Sequence, residues 1–85
     1  IYHAIHRKAL VSFMVLSNLK ANNKCRIRNI AGGGHARRRL YELGFIAGAE
    51  VKVVKNDFGP VIVSLSGNKL AIGRSLAEHI VIESE

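Results

Sequence analysis

The stretch of residues 35–53, HARRRLYELGFIAGAEVKV, constrains the fold more than any other part of the chain. Ala36, Leu40 and Leu43 are spaced i, i+4 and i+7, which predicts a short helix over residues 35–43 with one apolar face. A helix of this length is too short to be stable alone in water. It must therefore pack against another element, and the strands that follow it are the candidates.

A glycine stop predicts where this helix ends. Gly44 has no Cβ, so it can adopt the left-handed conformation in which many helices terminate. Phe45 is then expected to fold back onto Leu40, and Gly48 to make a second turn before a strand begins. We therefore expect Leu40, Leu43, Gly44, Phe45 and Gly48 to form the structural motif of the fold.

Strand patterns dominate the rest of the chain. Five short segments are predicted to be strands: four have apolar residues at alternate positions, as half-buried strands do, and the closing one, Ile80-Val81-Ile82, is wholly apolar. They are residues 24–30, 49–55, 61–66, 69–73 and 80–82. Five strands on a chain this small predict a sandwich or a small barrel, because a curled sheet leaves fewer exposed edges. The fold class is thus mainly β, with one short helix between the first and second strands.

Local signals refine this outline. Gly67-Asn68 is predicted to be a two-residue hairpin loop of the glycine-first kind, and Ser75 to Glu78 matches a capping box, which predicts a helical turn beginning at Ser75. Residues 15–20 are expected to cover one end of the core. The predicted inward-facing set is Ile27, Leu40, Leu43, Val51, Val53, Val61, Val63, Leu65, Leu70, Ile72, Ile80 and Ile82.

Length and charge limit the domain organisation and the partners. The 85 residues are enough for one domain. The chain begins with Ile rather than Met, so we interpret residues 1–13 as a leader or an appended segment and residues 14–85 as the domain. The net charge of +7 favours an acidic partner, which leaves nucleic acid, an anionic membrane surface and an acidic protein face open. A single cysteine excludes an internal disulfide and favours a reducing, cytoplasmic setting.

No arrangement of residues predicts catalysis. The six carboxylates have no spacing suggestive of acid–base chemistry, and Cys25 is expected to point into the core rather than act as a nucleophile. The triple glycine 32–34 lacks the Lys-Ser/Thr ending of a phosphate loop, so we interpret it as a flexible connector. Cys25, His35 and His79 could meet at a zinc ion, although they lack the close pairing of structural zinc sites. We therefore expect a binding module with no catalytic residue and no cofactor, and weak transition-metal binding stays open.

Several segments together resemble one family. RRRLYELGF followed by IAGAEVKVV, then GPVIVSLSGNKLAI and finally LAEHIVI, are similar to the FeoA family in order and spacing. The resemblance implies an SH3-like β-barrel and a small cytoplasmic accessory of the membrane ferrous iron transporter FeoB, whose soluble part is a GTPase. On such a barrel the arginines of the helix lie outside. We predict that Arg37, Arg38 and Tyr41 contact the partner.

Two other functions remain as alternatives. A basic SH3-like barrel that binds nucleic acid would place Lys24, Arg26, Arg28 and Arg37 to Arg39 on one face, although the scarcity of aromatic residues disfavours base stacking. The fold also resembles the C-terminal domain of iron- and manganese-dependent repressors, which makes a metal-responsive regulatory barrel the other alternative. Barrel edges and the apolar residues 15–19 could pair between chains as a homo-oligomer. No direct membrane insertion is expected.

Overall fold

The computed structural model describes residues 13–84. Its elements in chain order are β1 (Phe13–Val15), a 3-10 helix (Leu16–Asn18), β2 (Lys24–Ile30), α1 (Gly34–Leu43), β3 (Glu50–Lys55), β4 (Val61–Leu65), β5 (Asn68–Ile72), α2 (Arg74–Ala77) and β6 (Ile80–Ser84). The five predicted strands correspond to β2 through β6, and the predicted helix is α1, so the mainly β fold is confirmed. The strand β1 was not predicted, and residues 1–12 of the proposed leader lie outside the described residues.

All six strands belong to one antiparallel sheet in the order β1-β6-β2-β3-β4-β5. The pairing register shifts in β2 between Ile27 and Asn29. It shifts again in β3 between Val53 and Lys55. Each shift marks a bulge, and bulges bend a strand and increase its twist. The sheet therefore curls around its apolar face. Among residues 13–84, neither helix approaches the length and apolarity needed to cross a membrane.

One apolar core fills the curled sheet. Its buried members are Leu16, Leu19, Cys25, Ile27, Ile30, Leu40, Phe45, Val51, Val53, Val61, Val63, Leu65, Ile72, Ala77, Ile80 and Ile82. The inward-facing prediction is confirmed for ten of its twelve residues. Leu70 is only partly buried and packs against the rim of the core, and Leu43 is exposed. Leu16 and Leu19 are buried, as expected of a segment that covers one end.

Two local predictions were wrong. Leu65 pairs with Asn68, so the loop between β4 and β5 is Ser66-Gly67 rather than Gly67-Asn68. Both loop residues have positive φ, 53° and 82°, as a type I′ turn requires. The second error concerns α2, which begins at Arg74 after Gly73 and has no side-chain cap. Ser75 lies inside the helix, where its hydroxyl cannot cap the first turn.

The connector between β2 and α1 is held against the start of β6. The amide of Ala31 donates to the carbonyl of His79 at 2.7 Å. Gly32 has φ +98°, and a Cβ built on it would lie only 2.7 Å from Nδ1 of His79. A side chain at this position would therefore collide with the imidazole, which explains one of the three glycines through packing.

Candidate partner-binding surface

The start of α1 is tied to the end of β2. Leu40 is fully buried beneath the helix. Nη2 of Arg37 donates to the carbonyl of Ile30 at 3.1 Å, so this arginine joins the first turns of the helix to the neighbouring strand. Arg37 therefore contributes to the position of the helix as well as to its surface charge.

The end of α1 has the hydrogen bonds of a Schellman motif. The amide of Phe45 donates to the carbonyl of Leu40 at 3.0 Å, and the amide of Gly44 donates to that of Tyr41 at 3.0 Å. Gly44 has φ +104°, which confirms the predicted stop, and Phe45 is fully buried. Gly48, at φ +89°, makes the predicted second turn.

The prediction that Leu43 faces the core was wrong. Its exposed fraction is 42%. In a Schellman motif the apolar contact joins the residue after the glycine to the third residue before the helix cap, which here means Phe45 and Leu40. Phe45 therefore occupies the space beneath the helix end, and Leu43 is turned towards solvent.

The three residues predicted to contact a partner are neighbours on α1. Arg37 and Tyr41 are four residues apart and Arg38 and Tyr41 are three apart, so all three lie within an arc of about 100° on the helix. Tyr41 is 52% exposed, and Arg38 is also exposed. The helix spacing therefore places one exposed aromatic residue and two arginines on the same side of α1.

Two apolar side chains at the C-terminal end of α1, Leu43 and Ile46, are exposed, which the sequence analysis did not predict. Leu43 lines a groove of about 420 Å³ together with His35, Arg38, Arg39 and Glu42. Ile46, in the turn after α1, is 50% exposed. The signal for Leu43 was present in the sequence, because a Schellman contact between Leu40 and Phe45 leaves no place for Leu43 in the core. We define the α1 surface as Arg37, Arg38, Arg39, Tyr41, Leu43 and Ile46.

The charges of the α1 surface are not balanced within the described part of the chain. Arg38 and Arg39 form no ion pair or side-chain hydrogen bond with any residue between 13 and 84. Glu42 lies four residues after Arg38, which is the less favourable order for an ion pair on a helix. The two guanidinium groups are therefore available to acidic groups of another molecule.

The arginines of β2 contact the protein itself. Nη1 of Arg26 donates to the carbonyl of Gly48 at 3.0 Å. Nη1 of Arg28 lies 3.5 Å from Oε2 of Glu83, and its guanidinium lies 5.5 Å from the centre of the Phe13 ring. The charge of Arg28 is thus partly balanced, which weakens the basic face that the nucleic-acid alternative needs.

The candidate zinc ligands do not come together. Within residues 13–84, no group of three or more His, Cys, Asp and Glu side chains is placed to hold a metal ion. Cys25 is fully buried, whereas His35 is exposed at the first turn of α1. This set of residues therefore does not fit a zinc site.

Comparison with known proteins identifies the family. A family model described as the FeoA domain matches residues 14–84. The chain belongs to the FeoA family. A curated relative of this FeoA chain, named as an Fe(2+) transport protein A from Methanocaldococcus jannaschii, is 38% identical over 68 residues. The match covers 80% of this chain and 83% of the relative.

Solved FeoA structures share the fold. A crystal structure described as an iron uptake regulatory protein, FeoA, superposes with a TM-score of 0.83 at 32% identity and covers 87% of this chain and all of that one. Stenotrophomonas maltophilia FeoA, solved with zinc and described as an SH3 domain protein, gives a TM-score of 0.73 at 28% identity over 81% of this chain and 88% of that one. The SH3-like prediction is confirmed.

The likeness to a repressor barrel is one of fold alone. A manganese-dependent transcriptional repressor superposes with a TM-score of 0.80 at 14% identity. The match covers 88% of this FeoA chain but only 43% of the repressor. This result shows that the same barrel occurs within a longer regulatory protein, and it assigns no regulatory activity to this chain.

Proposed function

We propose that this FeoA-family chain is a small cytoplasmic accessory protein of ferrous iron uptake that binds the soluble GTPase part of an FeoB-type membrane transporter and modulates it. The family assignment connects the chain with ferrous iron transport. The α1 surface supplies the observation that supports binding to another protein. The proposed role is one of recognition, without catalysis by this chain.

The composition of the α1 surface supports this proposal. Tyrosine and arginine are enriched among the residues that contribute most to binding at protein interfaces. Here Tyr41 lies beside Arg38 on a helix held at both ends, by Arg37 at its start and by the Schellman motif at its end. A surface held rigidly before binding loses little conformational entropy when a partner docks.

The test is a binding measurement between the full chain and the soluble GTPase domain of the cognate transporter, with and without guanine nucleotide. We expect the double variant Arg38→Glu, Tyr41→Ala to bind at least about tenfold more weakly, because it removes an aromatic contact and reverses a charge at the patch. Isothermal titration calorimetry gives the affinity, and circular dichroism checks that the variant is folded.

A charge-matched control separates the α1 surface from general electrostatic attraction. Lys20→Glu makes the same change in net charge at an exposed position outside the α1 surface and should leave the affinity within about twofold. Arg37→Glu is measured separately, because that arginine also bonds to Ile30. Unchanged affinity in the folded Arg38/Tyr41 variant would refute the assignment of these residues, and no binding by the unmodified chain would refute the proposed partner.

A further inference from the structure

Three lysines and a serine form a row across the outer face of the sheet. Lys24 of β2 pairs directly with Lys52 of β3, Lys52 pairs with Ser64 of β4, and Ser64 pairs with Lys69 of β5. Residues directly opposite each other in antiparallel strands project from the same face. Lys24, Lys52, Ser64 and Lys69, which we call the lysine row, therefore line up across four strands, over about 14 Å at the usual strand spacing.

The charges of the lysine row oppose the pairing of its own strands. Like charges placed directly opposite in a sheet are destabilising, and Lys24 and Lys52 are such a pair. In the described part of the chain, no carboxylate lies within ion-pair distance of Lys24, Lys52 or Lys69. Lys55 on the same strand differs, because its Nζ lies 4.0 Å from Oδ2 of Asp57. The row thus concentrates positive charge that the fold does not need.

A groove lies beside the row. Its volume is about 460 Å³, and its lining residues are Lys24, Ala49, Glu50, Lys52, Ser64, Ser66 and Gly67. This volume falls within the range of small-molecule sites. The two ammonium groups thus border a concave surface that also carries the hydroxyls of Ser64 and Ser66. The groove shares no residue with the α1 surface.

The donor groups of this groove match phosphate better than other anions. Lysine is a compact point charge that commonly binds phosphate, and serine hydroxyls add uncharged donors. Side chains directly opposite in a sheet have Cβ atoms about 5 Å apart, so Lys24 and Lys52 are close enough to contact two linked phosphate groups. Among residues 13–84, no aromatic side chain lines the groove, so this part of the chain offers no platform there on which a nucleic-acid base could stack.

We propose that this groove is a binding site for a small anion with two or more linked phosphates, held mainly by Lys24 and Lys52, with Lys69 at the end of the row. Glu50 is the one acidic residue among the described residues of the lining, and it stands opposite Arg26 in the strand register. Its negatively charged carboxylate repels an anion in the groove and therefore lowers the affinity. This site is independent of the proposed binding to the transporter.

The test titrates inorganic pyrophosphate into the full chain by isothermal titration calorimetry at constant, near-physiological ionic strength. We expect one saturable site. Lys24→Gln and Lys52→Gln should each weaken binding about tenfold, since each removes a charge-assisted contact. Glu50→Gln should strengthen it. Lys55→Gln removes the same charge outside the groove and should leave the affinity within about twofold, because exposed charges at a distance are screened by salt.

A second measurement compares the stability of the variants with and without pyrophosphate. Because Lys52→Gln removes a like-charge repulsion, the unliganded variant should unfold at a higher urea concentration than the unmodified chain. A given concentration of pyrophosphate should raise the midpoint of the variant by less than it raises that of the unmodified chain. Absence of saturable binding would overturn the proposal, as would an equal loss in Lys55→Gln. Tighter binding to a DNA duplex or to anionic vesicles than to pyrophosphate would also overturn it, because it would assign the row to a macromolecular surface.

Discussion

Gly44 occupies a backbone conformation that other residues adopt only with strain. Its φ of +104° allows the chain to reverse at the end of α1. A Cβ built on Gly44 would lie 3.3 Å from Cδ2 of Leu65, so a side chain would also press on the core. Backbone and packing therefore favour glycine for separate reasons.

Replacing Gly44 with alanine should lower the free energy of unfolding by roughly 1–2 kcal/mol from backbone strain alone, with a further loss if Leu65 cannot move. Urea unfolding monitored by circular dichroism measures this change. Gly59→Ala is the matched control, because Gly59 lacks a positive φ and a Cβ there would meet nothing within 4 Å. A Gly44→Ala variant as stable as the Gly59→Ala variant would contradict the role assigned to the glycine stop.

Residue-level prediction succeeded where a local rule decides the outcome and failed where neighbouring elements decide it. The glycine stop follows from Gly44 and Phe45 alone. The burial of Ile30 does not, because the bulge in β2 adds one residue after Ile27 and reverses which side chains face inward. A bulge leaves no sure mark in a single sequence, so simple alternation left Ile30 out of the predicted core.

At the scale of elements, one amide group connects three segments of the chain. Nδ2 of Asn56, in the loop after β3, donates to the carbonyls of Ser17 and Leu19, both at 2.8 Å. Oδ1 of Asn56 accepts from Nη2 of Arg74 at 2.7 Å. Arg74 also donates to the carbonyl of Gly59 at 3.1 Å. The loop, the 3-10 helix region and α2 are thus joined through two side chains.

We expect Asn56→Ala to lower the free energy of unfolding by about 1–3 kcal/mol, because it leaves partly buried partners without their hydrogen bonds. Asn23→Ala removes one exposed, local bond to Lys20 and should change stability by less than about 0.5 kcal/mol. The stability losses of Asn56→Ala and Arg74→Ala should sum to more than the loss measured for the double variant, because the two side chains bond to each other. Strict additivity in urea unfolding would show that they act separately.

The lysine row depends on how the strands pair, and it could not be predicted from the sequence. The sequence shows that Lys24 and Lys52 lie on the outer faces of their strands, because both alternate with apolar residues. Which lysine stands opposite which depends on the pairing register, and the register is set by loops and by packing of the whole sheet. The wrong prediction for the Ser66-Gly67 turn would have moved Lys69 out of line with Ser64. The α1 surface was easier to predict, because its residues share one helix.

At the scale of the whole molecule, the described residues contribute to one core rather than to separate clusters. Leu16 and Leu19 from the first part of the chain pack in the same cluster as Ile80 and Ile82 from the last strand. With a single core of this size, we expect unfolding to be a two-state transition. The strand patterns predicted a sandwich or a small barrel, and the resemblance to the FeoA family selected the SH3-like barrel. The strand β1, which has only three residues, was not predicted.

Two leucines, one buried and one exposed, test which side chains belong to the core. Leu16→Ala should lower the free energy of unfolding by about 2–5 kcal/mol, because it opens a cavity at a fully buried position. Leu43→Ala makes the same chemical change at an exposed site and should cost less than about 1 kcal/mol. Urea denaturation followed by two spectroscopic probes gives both values and checks that the transitions coincide. Equal losses for the two leucines would contradict the burial described for the core.

The place of β6 in the sheet has a consequence for protein synthesis. This strand is the last described along the chain, yet it lies between β1 and β2. Until a ribosome has released residues 80–84, neither of the first two strands can find this neighbour, and the apolar side chains of the emerging barrel stay uncovered. Contacts between residues so far apart in sequence form slowly. A nascent FeoA chain should therefore remain open to proteases and chaperones until β6 has emerged.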